Sequence, residues 1–198
     1  MRAIRIFLLS GLSLAILGDA ALAAPPQPAP KKAEAPPPPR AASLGDLYER
    51  LARTTDESEA KGIVASIQRR WMRSGSDTAD LLLSRAMEAA QDDQPLAIEL
   101  LDRAIALQPN WAEAWNKRAT VFFMMGDMTR SMADLRETLS REPRHFGALS
   151  GLGIILQSNG DRKQAYEVFR KALAVNPFLA DVKKAVQSLE PDVGETSL

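Results

Sequence analysis

The chain has 198 residues, with Lys plus Arg and Asp plus Glu balanced at 25 each, and it contains no cysteine. A formally neutral chain without a basic stripe lacks the phosphate-neutralising charge that nucleic-acid binding draws on. The missing cysteine excludes disulfides, a thiolate nucleophile, a cysteine zinc site and a lipidated N-terminal cysteine.

Arg2 and Arg5 precede an apolar stretch from Ile6 to Leu17, and the small residues of Ala21-Leu22-Ala23 follow it. Charge, apolar run and small-residue site in that order predict a secretory signal over residues 1–23, cleaved before Ala24. The run is too short for a membrane-spanning helix, which takes about 20 apolar residues. An uncleaved N-terminal anchor is the rival reading, and either one places the remainder outside the cytoplasm.

Residues 24–42 carry Pro25, Pro26, Pro28, Pro30 and Pro36 to Pro39. Proline removes the backbone donor that a helix ladder needs, so this segment is expected to be a Pro-rich disordered linker. Such a stretch can also dock in an aromatic-lined groove, but a spacer needs no ligand. In residues 43–76, Leu44, Leu47, Tyr48 and Leu51 form one apolar stripe at helical spacing, and Ala60, Ile63, Val64, Ile67 and Trp71 form a second. They predict a helix pair, repeat-like but without a Gly-Asp turn, ending at the break Arg73-Ser-Gly-Ser-Asp77.

A period begins at residue 78. Pro109, Pro143 and Pro177 lie 34 residues apart, and with each proline at position 32 the repeats run 78–111, 112–145 and 146–179. Position 4 is then Leu81, Trp115 and Leu149, and position 24 is Leu101, Leu135 and Phe169. Position 20 is Ala97, Ser131 and Ala165, and position 27 is Ala104, Thr138 and Ala172. Positions 15–16 read Asp92-Asp93, Gly126-Asp127 and Gly160-Asp161. Large apolar residues at 4 and 24 are expected to bury against each other, and small ones at 8, 20 and 27 let two helices approach. Gly-Asp ends one helix and caps the next, and the proline stops the second helix. Repeat 1 departs in its first helix, where Ser84, Arg85 and Glu88 occupy positions 7, 8 and 11. After Pro177, Val182, Ala185, Val186 and Leu189 predict a capping helix over 180–190, with 191–198 as a tail.

A helix–turn–helix period of this length, with these residues, resembles the tetratricopeptide repeat family over residues 78–189. The expected fold is therefore all-α, a tetratricopeptide-repeat solenoid of antiparallel helix pairs with a C-terminal capping helix. The N-terminal pair, Trp71-Met-Arg-Ser-Gly-Ser76 and the junction from Arg141 to Leu149 look like small exported tetratricopeptide proteins of alphaproteobacteria. That resemblance implies a periplasmic adaptor linked to upkeep of the cell envelope. It also implies a concave groove lined by positions 2, 5, 9, 12 and 13 of the first helices. In repeat 2 these are Glu113, Asn116, Thr120, Phe123 and Met124, and in repeat 3 Gly147, Ser150, Ile154, Gln157 and Ser158. Repeat 1 offers Ala79, Leu82, Ala86, Ala89 and Ala90. The partner-binding residues expected from this are Glu113, Asn116, Thr120, Phe123, Met124, Ser150, Ile154 and Gln157. The Lys and Asn that some members place at positions 5 and 9 to clamp a peptide carboxylate are replaced by Asn116, Thr120, Ser150 and Ile154. Lys117, Arg118, Arg144 and His145 are candidates for favouring an acidic ligand, with an ordinary solvated face as the plainer reading.

No catalytic constellation is legible. His145 is the only histidine and falls at position 34, read as a turn or groove-rim residue rather than a general base. Gly151-Leu-Gly153 follows no strand, so it is not a dinucleotide loop. Met124, Met125, Met128 and Met132 could in principle bind Cu(I), but packing is the ordinary use of methionine. The sequence thus predicts a non-enzymatic protein with no cofactor or metal, binding a protein or peptide through the groove. A self-associating architectural protein is the first alternative, and a metal carrier or enzyme accessory subunit a weaker one.

Overall fold

The structure, a computed structural model, describes residues 42–194, with side chains through Glu190. The expected signal and nearly all of the linker lie outside the described residues. Nine α-helices and no strand occur among the described residues: α1 (Leu44–Arg53), α2 (Glu57–Trp71), α3 (Asp77–Ala89), α4 (Gln94–Leu107), α5 (Ala112–Met124), α6 (Met128–Arg141), α7 (Phe146–Ser158), α8 (Arg162–Val175) and α9 (Ala180–Gly194). The 34-residue period resolves into antiparallel pairs α3–α4, α5–α6 and α7–α8, each packed on the next.

The repeat chemistry acts as expected in most places. Position 24 is buried in all three copies, and the alanines, serine and threonine at positions 20 and 27 are all at or below 1% exposure. Small side chains there bring the helices of each pair together, and the Ser131 hydroxyl satisfies itself by donating to the Ala119 carbonyl at 2.8 Å. At Gly153 the approach is so close that an added Cβ would lie 2.4 Å from the Phe169 ring. Gly126 and Gly160 take φ of 77° and 86°, the left-handed conformation that ends α5 and α7. Asp93 and Asp127 then accept the backbone N–H groups of Leu96 and Arg130 as N-caps. Asp161 occupies the same position but makes no side-chain cap bond. Helices α4, α6 and α8 each stop two residues before a repeat proline. The capping helix α9 buries Val182 and Leu189 and runs to Gly194, so residues 191–194 continue the helix where a tail was expected.

Repeat 1 departs from the period in a way that has a simple cause. Three residues, Ala90, Gln91 and Asp92, separate α3 from the Asp93 cap, whereas Met125-Gly126 and Asn159-Gly160 suffice in the other repeats. The extra residue turns α3 by about 100° relative to the register set by the caps. Ala79, Ala86 and Ala90, expected in the groove, are therefore core residues at 0%, 0% and 2% exposure. Leu81, expected to bury at position 4, is 58% exposed. Arg85 and Glu88, which look misplaced as position 8 and position 11 residues, pair with each other at 2.9 Å in solvent.

The N-terminal helix pair does not stack on repeat 1. Its apolar residues Leu47, Tyr48, Leu51, Ala60, Ile63, Ile67 and Trp71 form a core of their own with Phe146, joined by Val175, Phe178 and Leu179. It docks along the edge where the inter-repeat loops emerge. The Trp111 indole donates to the Trp71 carbonyl at 2.6 Å, and Arg144 lies over the Tyr48 ring at 4.4 Å. Arg70 reaches the Ala42 carbonyl, tying the start of the described chain to α2.

Candidate functional site

Helices α5 and α7 flank a cleft of about 180 Å³ lined by Asn116, Ala119, Thr120, Phe123, Gly147, Gly151 and Ile154, with Ser131 and Leu135 of α6 also in its lining. Four of the eight expected residues, Asn116, Thr120, Phe123 and Ile154, meet there. The helical steps of three or four residues on α5 and seven on α7, Gly147 to Ile154, place them on facing sides. Phe123 and Ile154 are 40% and 45% exposed, so each presents an apolar surface that no described residue covers. Gly147 and Gly151 leave the backbone of α7 open, and at Gly151 a Cβ would touch only the Leu135 side chain.

The cleft offers few free donors. The Thr120 hydroxyl donates to the Asn116 carbonyl at 3.0 Å, and the Asn116 amide donates to Glu113 at 3.2 Å. Of the other expected residues, Met124 is exposed near the end of α5, and Gln157 and Ser150 are half-buried away from the cleft lining, Ser150 donating to the Phe146 carbonyl.

Glu113 has a different place from the one the period implied: it is 4% exposed. It accepts from the His145 ring at 2.8 Å, from Lys117 at 3.0 Å and from Asn116. Burial disfavours its charge, but the His145 hydrogen bond and the Lys117 ammonium outweigh that and hold the carboxyl below its ordinary value. His145 is likewise no rim residue. It is 1% exposed, caps α7 by accepting the Ala148 N–H on Nδ1 at 3.1 Å, and stacks on Trp71 with ring centres 3.8 Å apart. Because Nδ1 accepts, the proton sits on Nε2, facing Glu113. Sequence reasoning missed this cluster, whose members come from α2, α5 and the α6–α7 turn.

The other cations expected to draw an acidic ligand are also engaged internally. Arg118 forms a fork on Asp134 at 2.7 and 2.8 Å and reaches Asp102 at 2.6 Å, so it ties α4, α5 and α6 together. The Asp134 hydrogen bond pushes the guanidinium upward, further from any loss of charge. Lys117 is held by Glu113, and Arg144 by the Tyr48 ring. The methionines divide: Met128 and Met132 pack against the core between α5, α6 and α7, whereas Met124 and Met125 are exposed. Among the described residues there is no group of three or more His, Asp or Glu side chains arranged for a metal ion. No described helix is long and apolar enough to cross a membrane.

Stacked antiparallel helix pairs with an apolar cleft on the first helices define an α-solenoid repeat protein. The tetratricopeptide repeat family model matches residues 147–179. A TPR repeat-containing protein of Rhizobium etli is 39% identical over 147 residues, which span 74% of this chain and 72% of that relative. Small glutamine-rich tetratricopeptide repeat-containing protein 2 of Mycosarcoma maydis is 29% identical over 58% of this chain and 32% of its own length. Among solved structures, the Sgt2 TPR domain from Aspergillus fumigatus superposes with a TM-score of 0.55 at 21% identity, covering 61% of this chain and 82% of that one. The first TPR of Spaghetti bound to an HSP90 peptide gives 0.56 at 14% identity, over 60% and 95%. MamA gives 0.55 at 16% identity, over 78% and 86%. The chain belongs to the tetratricopeptide repeat family.

Proposed function

We infer that this chain is a non-catalytic binding protein that holds a segment of another protein in the α5–α7 cleft, and that it works in the periplasm in upkeep of the cell envelope. The observation that carries the reading is the unpartnered pair Phe123 and Ile154 facing each other across Gly147 and Gly151. With Lys117, Arg118 and Arg144 all engaged internally, the cleft has no free cation among the described residues to hold a carboxylate, so the bound segment is apolar and uncharged where it meets these residues. Membership of the family supports a binding role, as does the HSP90 peptide carried by the Spaghetti domain. The periplasmic address rests on Arg2, Arg5, the apolar run and Ala21-Leu22-Ala23.

Affinity capture from the protein's own cells tests both halves. The mature protein is expected to begin at Ala24 and to bring down an envelope protein that is lost in the Phe123→Ala, Ile154→Ala double variant. Truncating two exposed side chains leaves the core intact, so helicity should be unchanged. A partner retained by that variant would move the site elsewhere, and an uncleaved cytosolic chain would overturn the address.

A further inference from the structure

In repeats 2 and 3 one face of the second helix looks back toward the preceding repeat. On α6 this face carries Asp134, which grips the arginine that also holds Asp102 of α4, and Arg141, which donates to the Pro109 carbonyl at 2.6 Å. On α8 the equivalent Val168 packs in the same core cluster as Met132 and Leu139 of α6. One period earlier, the positions of Asp134 and Arg141 are Leu100 and Leu107 on α4, with Leu96 and Arg103 a helical turn away on the same side. Among the described residues repeat 1 has no predecessor to receive them, because the N-terminal helix pair that could have stacked there is docked instead against Phe146, Val175, Phe178 and Leu179. Leu96 is 42% and Leu107 51% exposed, and Leu100 is half-buried between them. Steps of four, three and four residues align the four side chains in one stripe, with Glu99 at its edge paired to Arg103 at 2.5 Å.

We propose that this α4 face binds the same face of a second copy of the chain, in a closed two-fold dimer. Leu96 and Leu107 end the stripe symmetrically, and between them Leu100 and Arg103 lie on opposite sides of its midline, so a two-fold sets Leu100 beside its own copy. When two α4 helices cross antiparallel about an axis between Leu101 and Asp102, Leu96 of each copy meets Leu107 of the other. Glu99 of each then lies beside the opposite Arg103, so each existing ion pair becomes part of a four-charge cluster. An isologous contact requires this self-complementarity of apolar and charged positions. Head-to-tail stacking has no comparable acceptor: the other end of the solenoid is covered by α9, whose outward side chains include Asp181, Lys183, Lys184, Gln187 and Glu190, all exposed. The two ends differ, so association stops at two copies.

Sedimentation velocity on the full chain over a wide concentration range tests the proposal, which stands independently of the cleft. The wild type is expected to sediment as a dimer that dissociates on dilution, and the Leu96→Glu, Leu107→Glu variant as a monomer with unchanged helicity. Glu99→Arg alone should weaken the dimer through like charges, and Glu99→Arg combined with Arg103→Glu should restore it. A monomer at every concentration overturns the proposal. So does a dimer that survives both leucine substitutions, or a charge exchange that restores nothing.

Discussion

His145 joins three parts of the molecule at once: its ring caps α7, its Nε2–H meets Glu113 of α5, and its face rests on Trp71 of α2. A buried ion-paired carboxylate of this kind stabilises only while it is charged. The Glu113 carboxyl in the folded chain lies below the ordinary 4.5, so the unfolded chain takes up the proton more readily. The contribution is complete above about pH 4.5 and is lost as pH falls through the lower folded value. Glu113→Gln should therefore cost about 1–3 kcal/mol at neutral pH, because Lys117 and His145 lose a charged acceptor. It should also flatten the loss of stability on acidification, as read by denaturant midpoints on either side of pH 4.5. Equal acid sensitivity in the variant would mean that another carboxylate controls it. None of this was legible beforehand: Glu113 and His145 are 32 residues apart in sequence, and a polar residue in a turn is ordinarily solvated. The groove residues were half legible. Positional equivalence brings Phe123 and Ile154 to the cleft, where neither makes a competing bond, whereas Glu113 lies buried among its partners.

At the scale of elements, a single inserted residue explains why repeat 1 looked degenerate. Helix α3 is an ordinary amphipathic helix burying Ala79, Leu83 and Ala86, with Ala90 buried just past its end, but turned from the register that Pro109 and Asp93 define. The caps and prolines carry the period of the loops, and the apolar stripe carries the orientation of the helix. The two agree only when the intervening turn keeps its length. The helix pair α1–α2 shows the complementary limit. Its stripes correctly marked which faces are buried, yet nothing in them says against what, since Phe146 and Phe178 lie two repeats away. Trp71 is the centre of that docking: it is 8% exposed, stacks on His145, touches Phe146, and its indole donates to the Tyr48 hydroxyl at 2.9 Å. Burial pushes the Tyr48 phenol well above its usual range, so that hydroxyl stays neutral and available as an acceptor. Trp71→Ala removes about 3–5 kcal/mol of packing. Hydrogen exchange should then show faster exchange across residues 44–71, with α5 to α8 protected much as before. If α7 and α8 lose protection to the same degree, the pair is integral to the repeat stack and not an element docked on it.

For the whole molecule, the stack, the cap and the positions of small residues follow from the period, because each repeat can bury its apolar face only against a neighbour. What the chain does then depends on which surfaces the stack leaves without a partner. Two stand out among the described residues, the α5–α7 cleft and the outer face of α4, and both are apolar with their nearby charges already paired internally. The central claim is that the cleft holds a protein partner, and in-cell crosslinking from single positions tests it most directly. A photoreactive residue replacing Phe123 or Ile154 is expected to give a discrete adduct with another protein, and one replacing Arg136, exposed on α6, to give none. Adducts from Arg136 alone, or equally from all three positions, would contradict the account.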